Sequence, residues 1–382
     1  MADSAQAPPI RPETGLADVT ACNSSICLVD GENCRLLYRG YDIVDLAEHS
    51  TFEEVAYLLW YGRLPGFVEF QAFLDGFTGC MKLPVETVMI LRMFPNAATP
   101  MEVLRTAVSS MGHWDPDSGN TRLDACLRKA QRLTERIPLI IASHQRLRDG
   151  MEPLEPLSNY GIAFNFLYTL QGKEPDPIMV KAMDTALILH ADHELNASTF
   201  AARVTAATMT DIYSAVTSAI AALKGPLHGG ANAEVMKMLD EIDTPERAAD
   251  WILPRLRRKE KIPGFGHRVY RCEDPRATVL RKEVEKLTVL TGEMRYYEIA
   301  QAVEQVMLAH SKVFPNVDFY SAPLYHAMGI PIELFTPIFA SSRTVGWTAH
   351  IFEQWKNNRL IRPTAQYTGP SLQPYIDIGS RS

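Results

Sequence analysis

The chain of 382 residues lacks an excess of basic residues, a long apolar run and any paired cysteine motif, and each absence excludes a class of protein. Its formal net charge of -7 disfavours nucleic acid as the main partner, because a surface that follows phosphates usually makes a domain basic. No apolar run approaches the roughly 18 residues of a membrane span. The start, MADSAQAPPIRPETG, is polar and rich in proline, so we expect no export and a cytoplasmic protein.

Cysteine is scarce, with six residues and no CxxC pair. This count argues against a zinc ribbon and against a disulfide framework, so we expect reduced, buried thiols. The HExxH motif of many zinc enzymes is also absent. We therefore expect no metal.

The sequence does contain helical periodicity along nearly its whole length. Residues 25–38 are rich in β-branched and apolar residues on both sides of an Asp30-Gly31 turn, which predicts one short hairpin. Strands sufficient for a larger sheet are absent, so the predicted fold class is all-α. Helices are predicted over residues 67–79, 122–136, 211–223, 231–242, 277–291, 295–313 and 338–357.

Local signals mark where two further helices begin. Ser50 with Glu53, or Thr51 with Glu54, forms a capping box before an apolar stretch that Gly62 closes. Another helix opens at Asp176-Pro177, where proline suits the first turn. In that helix the spacing predicts one face, which comprises Met183, Ala186, His190, His193 and Ala197.

Two stretches rich in glycine and proline, residues 223–230 and 329–337, interrupt the helical pattern. We interpret them as crossings between a large helical domain, residues 1–222 with 330–382, and a smaller inserted helical domain, residues 223–329. Clefts between domains are preferred ligand sites, so the active site is expected there.

Two residues in these regions suit acid–base chemistry. His228 precedes a helix expected to begin near Ala231, and the positive end of a helix favours a neutral imidazole that can donate to a developing oxyanion. Alternatively, His228 packs or faces water in a simple turn. Asp318 lies among apolar and aromatic residues, where partial burial would raise its pKa and make it a better base. Its alternative role is to cap the helix that follows.

His190 and His193, in HADHELNAS, are three residues apart. Three interpretations stay open: both are satisfied core histidines, one of them binds substrate, or, with a third ligand from elsewhere, they form a metal site. Glu194 does not share a helical face with His190, which weakens the metal interpretation.

The loop PGFGHRVYRCEDPRA, residues 263–277, places His267 among glycines and arginines. It follows residues 255–261, which contain five basic side chains and one glutamate. One interpretation is a solvated turn beside a solvated charged face. The other is a site that attracts a polyanionic ligand such as a phosphorylated cofactor.

Taken together, these motifs strongly resemble the citrate synthase family, including the closely similar 2-methylcitrate synthases. They occur in the family's order and cover nearly the whole chain. The matching segments are HADHELNAS, GPLHGGAN, PGFGHRVYRCEDPR, NVDFYSAPLYHAMGIP and the pair RTVGW and NRLIRP.

The resemblance implies a condensation of acetyl-CoA with oxaloacetate, followed by hydrolysis of citryl-CoA to citrate and coenzyme A. By similarity, Asp318 removes a methyl proton and His228 hydrogen-bonds the thioester oxygen. His267 polarises the oxaloacetate ketone and protonates the nascent alkoxide.

The same resemblance assigns binding residues. His193, Arg276 and Arg343 would hold oxaloacetate, and Arg362 would be contributed across a homodimer interface. The adenine of coenzyme A would contact, largely through main chain, the segment Lys261, Ile262, Pro263, Gly264 and Phe265. A contact between Arg271 and a coenzyme phosphate is left open, and Arg268 has no assigned role.

Coenzyme A is thus expected as a thioester co-substrate, with no permanently bound cofactor. The chain resembles the short form of the family, so strong inhibition by NADH is not expected. Two alternatives stay open: a 2-methylcitrate synthase that uses propionyl-CoA, and an inactive helical dimer that serves as a binding or structural module.

Overall fold

The computed structural model describes residues 15–16, 19–78 and 81–381. Within these residues the chain forms sixteen α-helices and one small antiparallel sheet, so the predicted all-α class is confirmed. The strands are β1 (Cys27–Asp30), β2 (Arg35–Tyr38) and β3 (Tyr41–Asp42). The helices are α1 (Ile43–His49), α2 (Phe52–Tyr61), α3 (Phe67–Thr78), α4 (Val85–Met93), α5 (Pro100–Met111), α6 (Leu123–Arg148), α7 (Ile162–Gln171), α8 (Pro177–His190), α9 (Ala197–Ala206), α10 (Ile212–Leu223), α11 (Ala231–Ile242), α12 (Ala248–Arg257), α13 (Pro275–Thr291), α14 (Arg295–His310), α15 (Val317–Ala327) and α16 (Phe335–Lys356).

The predicted hairpin is present as β1 and β2, with Cys27 opposite Tyr38 and Asp30 opposite Arg35. The short strand β3, which was not predicted, extends it by one strand. The buried Tyr38 anchors the hairpin to the helical body, because its hydroxyl donates to the carbonyl of Asp192 at 2.9 Å.

Helix ends follow local capping chemistry. Thr51, not Ser50, caps α2 by accepting from the backbone N–H of Glu54. Gly62 ends the same helix in the left-handed region. Asp176 caps α8 and Pro177 occupies its first turn, as predicted.

Of the predicted helices, residues 231–242 coincide with α11, and most others agree within three residues. Helix α6 is much longer than predicted, because it continues through Pro138 to Arg148. Six helices were not predicted from the sequence, namely α1, α4, α5, α7, α9 and α12.

Helix α16 forms the centre of the larger helical group, where it contacts α2, α6, α8, α9 and α10. Helices α11 to α15 form a second group, in which α13 and α11 pack on α15 and α12 packs on α14. The second group falls within predicted domain 223–329, whose exact boundaries stay a prediction. Helix α13 also contacts α1 and α8, so this helix lies where the two groups meet.

The expectation of reduced thiols is wrong for one pair. Cys34 and Cys272, 238 residues apart in sequence, are joined as a disulfide with their Cα atoms 6.1 Å apart. Sequence spacing could not reveal this pair, because only the fold brings the hairpin turn to the loop before α13. Cys22, Cys27 and Cys126 are free.

None of the helices in the described part of the chain is long and apolar enough to span a membrane.

Candidate active site

A cavity of about 190 Å³ lies where the two helical groups meet. Its walls come from the turns before α11, α13 and α15, from the turn after α8 and from α16. It gathers the predicted catalytic and oxaloacetate-binding residues except Arg362. The lining residues are His193, Asn196, His228, Gly229, Gly230, Asn232, His267, Arg276, Asn316, Val317, Asp318, Thr336, Phe339 and Arg343.

His228 is fixed from behind by α9 and α16. The backbone N–H of Ser198 donates to its Nε2 at 3.2 Å, and the Ser198 hydroxyl lies 2.8 Å from the same atom. Trp347 donates to that hydroxyl at 3.1 Å. Since Nε2 accepts from the backbone N–H of Ser198, the neutral ring carries its proton on Nδ1, which is left to act as a donor.

The imidazole of His228 is neutral at pH 7. Burial, together with the positive charge of Arg343, lowers its pKa to about 4. Burial, and not the start of the following helix as predicted, is the larger cause. The helix does begin at Ala231, as predicted.

His267 is oriented by its own loop. The backbone N–H groups of Val269 and Tyr270 both donate to its Nδ1, each at 3.0 Å. The proton of the neutral ring is therefore on Nε2. Burial, aided by Arg276, lowers the pKa of His267 to about 4, so this ring too is neutral near pH 7.

Asp318 lies in the first turn of α15. Asn316, not Asp318, caps this helix, because the Asn316 side chain accepts from the backbone N–H of Asp318 at 3.0 Å. The capping interpretation of Asp318 is therefore wrong, and its carboxylate is left to face the cavity. Burial raises the pKa of Asp318 to about 6, against the opposing effect of Arg276.

The continuous helical face predicted through His193 is wrong beyond His190. Helix α8 ends at His190, and α9 begins only at Ala197. The chain turns because the Tyr38 hydroxyl accepts from the backbone N–H of Asp192, and because Glu194 adopts a positive φ of 56°.

This turn separates the two histidines. His190 is a core residue, fully buried and bound through Nδ1 to the carbonyl of Ala186. His193 lines the cavity, with its ring centroid 5.1 Å from that of His267. Burial, then Arg276, lowers the pKa of His193 well below its ordinary value, and its buried Nε2 has no partner among the described residues.

Two buried arginines supply the positive charge of the cavity. Arg276, 3% exposed, binds Asp274 through Nε at 3.0 Å and Nη2 at 2.8 Å. Burial opposes its charge, but the Asp274 carboxylate raises its pKa above the ordinary value. Arg343, 1% exposed, donates from Nε to the carbonyl of His190 at 2.7 Å and lies over the ring of Phe339.

The loop that carries His267 is tied to the segment that carries Asp318. The backbone N–H of Gly266 donates to the carbonyl of Phe314 at 2.9 Å, and the backbone N–H of Asn316 donates to the carbonyl of Gly264 at 2.8 Å. Gly264 has a φ of +77°, and a Cβ there would lie 2.8 Å from Phe319. The close approach therefore requires glycine.

The remaining predicted residues do not line this cavity. Ile262 and Gly264 are buried, Pro263 and Phe265 are half-buried, and Lys261 is exposed. Arg271 and Arg268 are also exposed. Arg362 is exposed in an irregular segment beyond α16. In the basic run, Arg258 pairs with Glu260 at the surface, which agrees with a solvated face there.

Within residues 15–16, 19–78 and 81–381, no group of three or more His, Cys, Asp or Glu side chains could hold a metal ion.

Comparison with known proteins decides the family. A family model described as "Citrate synthase, C-terminal domain" matches residues 15–364. The chain belongs to the citrate synthase family. The resemblance noted from the motifs is thereby confirmed, and with it the assignment as an acyl-transferring enzyme.

Relatives in this family include both expected activities. The chain is 51% identical to citrate synthase 2 of Bacillus subtilis, over 96% of this chain and 99% of that protein. It is 43% identical to the 2-methylcitrate synthase of Shewanella oneidensis, over 96% and 97% of the two chains. Among solved structures, citrate synthase from Pyrobaculum aerophilum matches with a TM-score of 0.92 and 43% identity, over 96% of this chain and 95% of that one.

Several residues that line the cavity of this citrate synthase family member, or lie directly behind it, were not predicted. Asn316 has a readable signal, because an asparagine directly before a helix suggests a cap. Ser198 stands in the quoted HADHELNAS motif, but only the fold shows that it contacts His228. Asn196 has the same signal as Asn316, because it caps α9, and Asn232 stands in the quoted GPLHGGAN motif. Thr336 and Phe339 lack a local signal that would place them at the cavity.

Proposed function

We propose that the chain condenses acetyl-CoA with oxaloacetate and hydrolyses the citryl-CoA that forms, with Asp318, His228 and His267 as catalytic residues. One observation carries this assignment. A single cavity combines a carboxylate of raised pKa, two neutral imidazoles with opposite tautomers and two buried guanidiniums.

The first step is removal of a methyl proton from the thioester. Such a proton is a poor acid, so a carboxylate removes it only if the developing charge on oxygen is stabilised at the same time. Asp318, with a pKa of about 6, is ionised and moderately basic at pH 7. His228 donates from Nδ1 to the thioester oxygen and stays neutral throughout.

The second step joins the enolate carbon to the ketone carbon of oxaloacetate. Arg276, Arg343 and His193 hold the dicarboxylate, since guanidinium forks match carboxylates. His267 donates from Nε2 to the ketone oxygen and gives it that proton as the carbon–carbon bond forms and the ketone double bond opens. Water then cleaves the citryl thioester: it returns a proton to His267, its hydroxide adds to the acyl carbon, and the proton held by Asp318 goes to the departing thiolate. The products are citrate and the coenzyme A thiol.

A direct assay tests the reaction. Purified chain is mixed with oxaloacetate and acetyl-CoA, and coenzyme A release and citrate formation are followed together. Equal rates of both products support the proposal. No coenzyme A release from either acetyl-CoA or propionyl-CoA would support the inactive-module alternative instead.

The second candidate is 2-methylcitrate synthesis from propionyl-CoA, favoured by relatives named for it at 43% and 41% identity. The two donors differ by one methylene, which an apolar pocket discriminates by about 1–3 kcal/mol. The ratio of kcat/KM for the two donors, measured side by side, decides between them. We propose acetyl-CoA as the preferred donor.

Coenzyme A enters as a substrate and not as a permanent cofactor. A solved relative from Thermoplasma acidophilum, 34% identical with a TM-score of 0.90 over 96% of this chain and 98% of that one, is a ternary complex with carboxymethyl coenzyme A and oxaloacetate. We propose that residues 261–265 contact the adenine, largely through main chain. Arg271→Ala tests a phosphate contact, which predicts a higher KM for acetyl-CoA at low salt.

We also propose a homodimer in which Arg362 completes the partner's site. The position of Arg362, exposed and absent from its own cavity, agrees with a contribution in trans. Mixing Asp318→Asn with Arg362→Ala chains tests it. Random exchange of subunits between the two inactive homodimers makes about half of the dimers heterodimers, and each heterodimer has one intact site of two. The mixture should therefore regain about one quarter of the wild-type activity. No recovery after verified subunit exchange would contradict the shared site.

A further inference from the structure

The disulfide joins the N-terminal hairpin to the loop that carries the predicted oxaloacetate-binding residues. Cys34 ends the turn between β1 and β2, and Cys272 lies between His267 and Arg276. Both cysteines are half-buried, so small reagents can reach them. Neither takes part in the proposed reaction.

The two segments are held together by more than the disulfide. The backbone N–H of Arg271 donates to the carbonyl of Gly31 at 3.2 Å. A Cβ on Gly31 would lie 2.4 Å from the carbonyl oxygen of Val269, so the backbones meet at a point that only glycine allows. These contacts do not depend on the sulfurs, and they would keep the two thiols adjacent after reduction.

On its other side the same loop positions the site. Val269 and Tyr270 donate to Nδ1 of His267, and Asp274 binds the guanidinium of Arg276. Cys272 is two residues from both Tyr270 and Asp274. A covalent link at Cys272 therefore limits the motion of both groups at once.

We propose that Cys34 and Cys272 form a reversible redox modification site, and that oxidation pre-organises the loop for oxaloacetate. Oxidation proceeds by thiol–disulfide exchange with a low-molecular-weight disulfide RSSR. One cysteine thiolate attacks RSSR and releases RSH, and the second cysteine displaces another RSH as the protein disulfide closes. Two thiols are oxidised, RSSR is reduced to two RSH, and the reverse exchange reopens the link.

The functional consequence is confined to one substrate. In the dithiol form the loop has more freedom, so part of the binding free energy is consumed in ordering it. We expect a dissociation constant and a KM for oxaloacetate about three- to tenfold higher in the reduced form. The KM for acetyl-CoA should change by less than about twofold, because Asp318 and His228 lie outside the loop.

The test uses the full chain in two states, oxidised with a low-molecular-weight disulfide or reduced with a phosphine. Peptide mass mapping after alkylation reports the Cys34–Cys272 link. Calorimetry measures oxaloacetate affinity, and loss of thioester absorbance measures turnover without a thiol reagent. Cys34→Ser and Cys272→Ser should each match reduced wild type in both states. Cys22→Ser, the matched control at a free cysteine, should keep the full redox response.

Alkylation of both cysteines after oxidation would overturn the proposal, as would equal oxaloacetate affinity in the two states. A redox response that survives in Cys34→Ser would do the same. Melting temperatures show whether each variant is folded, and the two serine variants check each other. The effect on KM rests on the proposed function. The mass map and the calorimetry need no turnover, so they distinguish failure of the redox proposal from failure of the enzymatic assignment.

Discussion

The two walls of the cavity achieve their chemistry by different means. On the acyl wall, formed by Asp318 and His228, burial favours the uncharged form of each group: it raises the pKa of Asp318 to about 6 and lowers that of His228 to about 4. The dicarboxylate wall, formed by His193, His267, Arg276 and Arg343, contains two buried permanent charges. The acyl wall therefore works through the position of a proton alone, whereas the dicarboxylate wall adds fixed charge to its neutral proton donor, His267.

The difference teaches that burial has opposite uses within a few ångströms of one substrate. On the acyl wall it strengthens a base and keeps a donor neutral. On the dicarboxylate wall it creates a demand for a counter-charge, which Asp274 meets for Arg276. For Arg343 the described contacts are a carbonyl and an aromatic face, so a bound carboxylate is its natural partner. Substitutions on the two walls should therefore change different kinetic constants.

The largest effect is expected from Asp318→Asn. The amide keeps the shape but cannot accept the methyl proton, so kcat should fall about 10³-fold. Oxaloacetate affinity, measured by calorimetry, should stay within about threefold of wild type, because the dicarboxylate wall is intact. A kcat within tenfold of wild type would remove Asp318 from the mechanism.

Arg343→Lys should act mainly on the KM for oxaloacetate. Lysine keeps the charge but loses the planar fork, and hydrogen bonds to charged groups contribute about 1.5–3 kcal/mol. We expect the KM for oxaloacetate to rise about 10- to 100-fold, with a smaller loss in kcat. Steady-state kinetics with oxaloacetate varied at saturating acetyl-CoA measure the change.

Arg203→Lys is the matched control for this prediction. Arg203 is equally buried, but it binds His350 and Glu353 and does not line the cavity. Its substitution should lower the melting temperature and leave the KM for oxaloacetate nearly unchanged. Equal increases in KM for the two variants would show that Arg343 acts through general stability.

The pH dependence of kcat provides a third test. Asp318 acts as an anion and its pKa is about 6, so kcat should fall tenfold per pH unit below about pH 6. The pKa values of His228 and His267 are lowered to about 4, so both stay neutral near pH 6 and do not cause the fall in kcat there. The profile is measured at constant ionic strength and saturating substrates. A fall in kcat that begins only near pH 4 would contradict the raised pKa of Asp318.

Sequence reasoning succeeded where the determining physics is local. The cap at Thr51, the start of α8 at Asp176 and the start of α11 at Ala231 depend on neighbours within four residues. The catalytic and oxaloacetate-binding residues of the cavity were predicted through the resemblance of whole motifs to a known family. Residue spacing alone would not have shown that these motifs lie close together in the fold. The catalytic roles themselves stay predictions.

Sequence reasoning failed where a contact with a segment distant in the chain determines the local structure. The turn after His190 forms because Tyr38, 154 residues away from Asp192, binds the backbone there. The disulfide and the contact of Trp347 with Ser198 likewise join segments far apart in the chain. Helical periodicity does not report such contacts, and so it extended α8 about two turns too far, to Ala197.

The smallest predicted effect comes from Ser198→Ala, which probes how the acyl wall holds its neutral donor. The variant removes the hydroxyl beside Nε2 of His228 but keeps the backbone N–H that donates to the same atom. One hydrogen bond contributes about 0.5–1.5 kcal/mol, so kcat should fall about two- to tenfold while the KM for oxaloacetate is unchanged. Nitrogen-15 NMR of the ring measures the tautomer directly, and we expect Nδ1 to keep its proton. If the proton moved to Nε2, the hydroxyl and not the backbone would fix the tautomer, and His228 could no longer donate from the atom that faces the thioester. The loss in kcat would then approach that of Asp318→Asn, and the division between the two walls would rest on Ser198 as well.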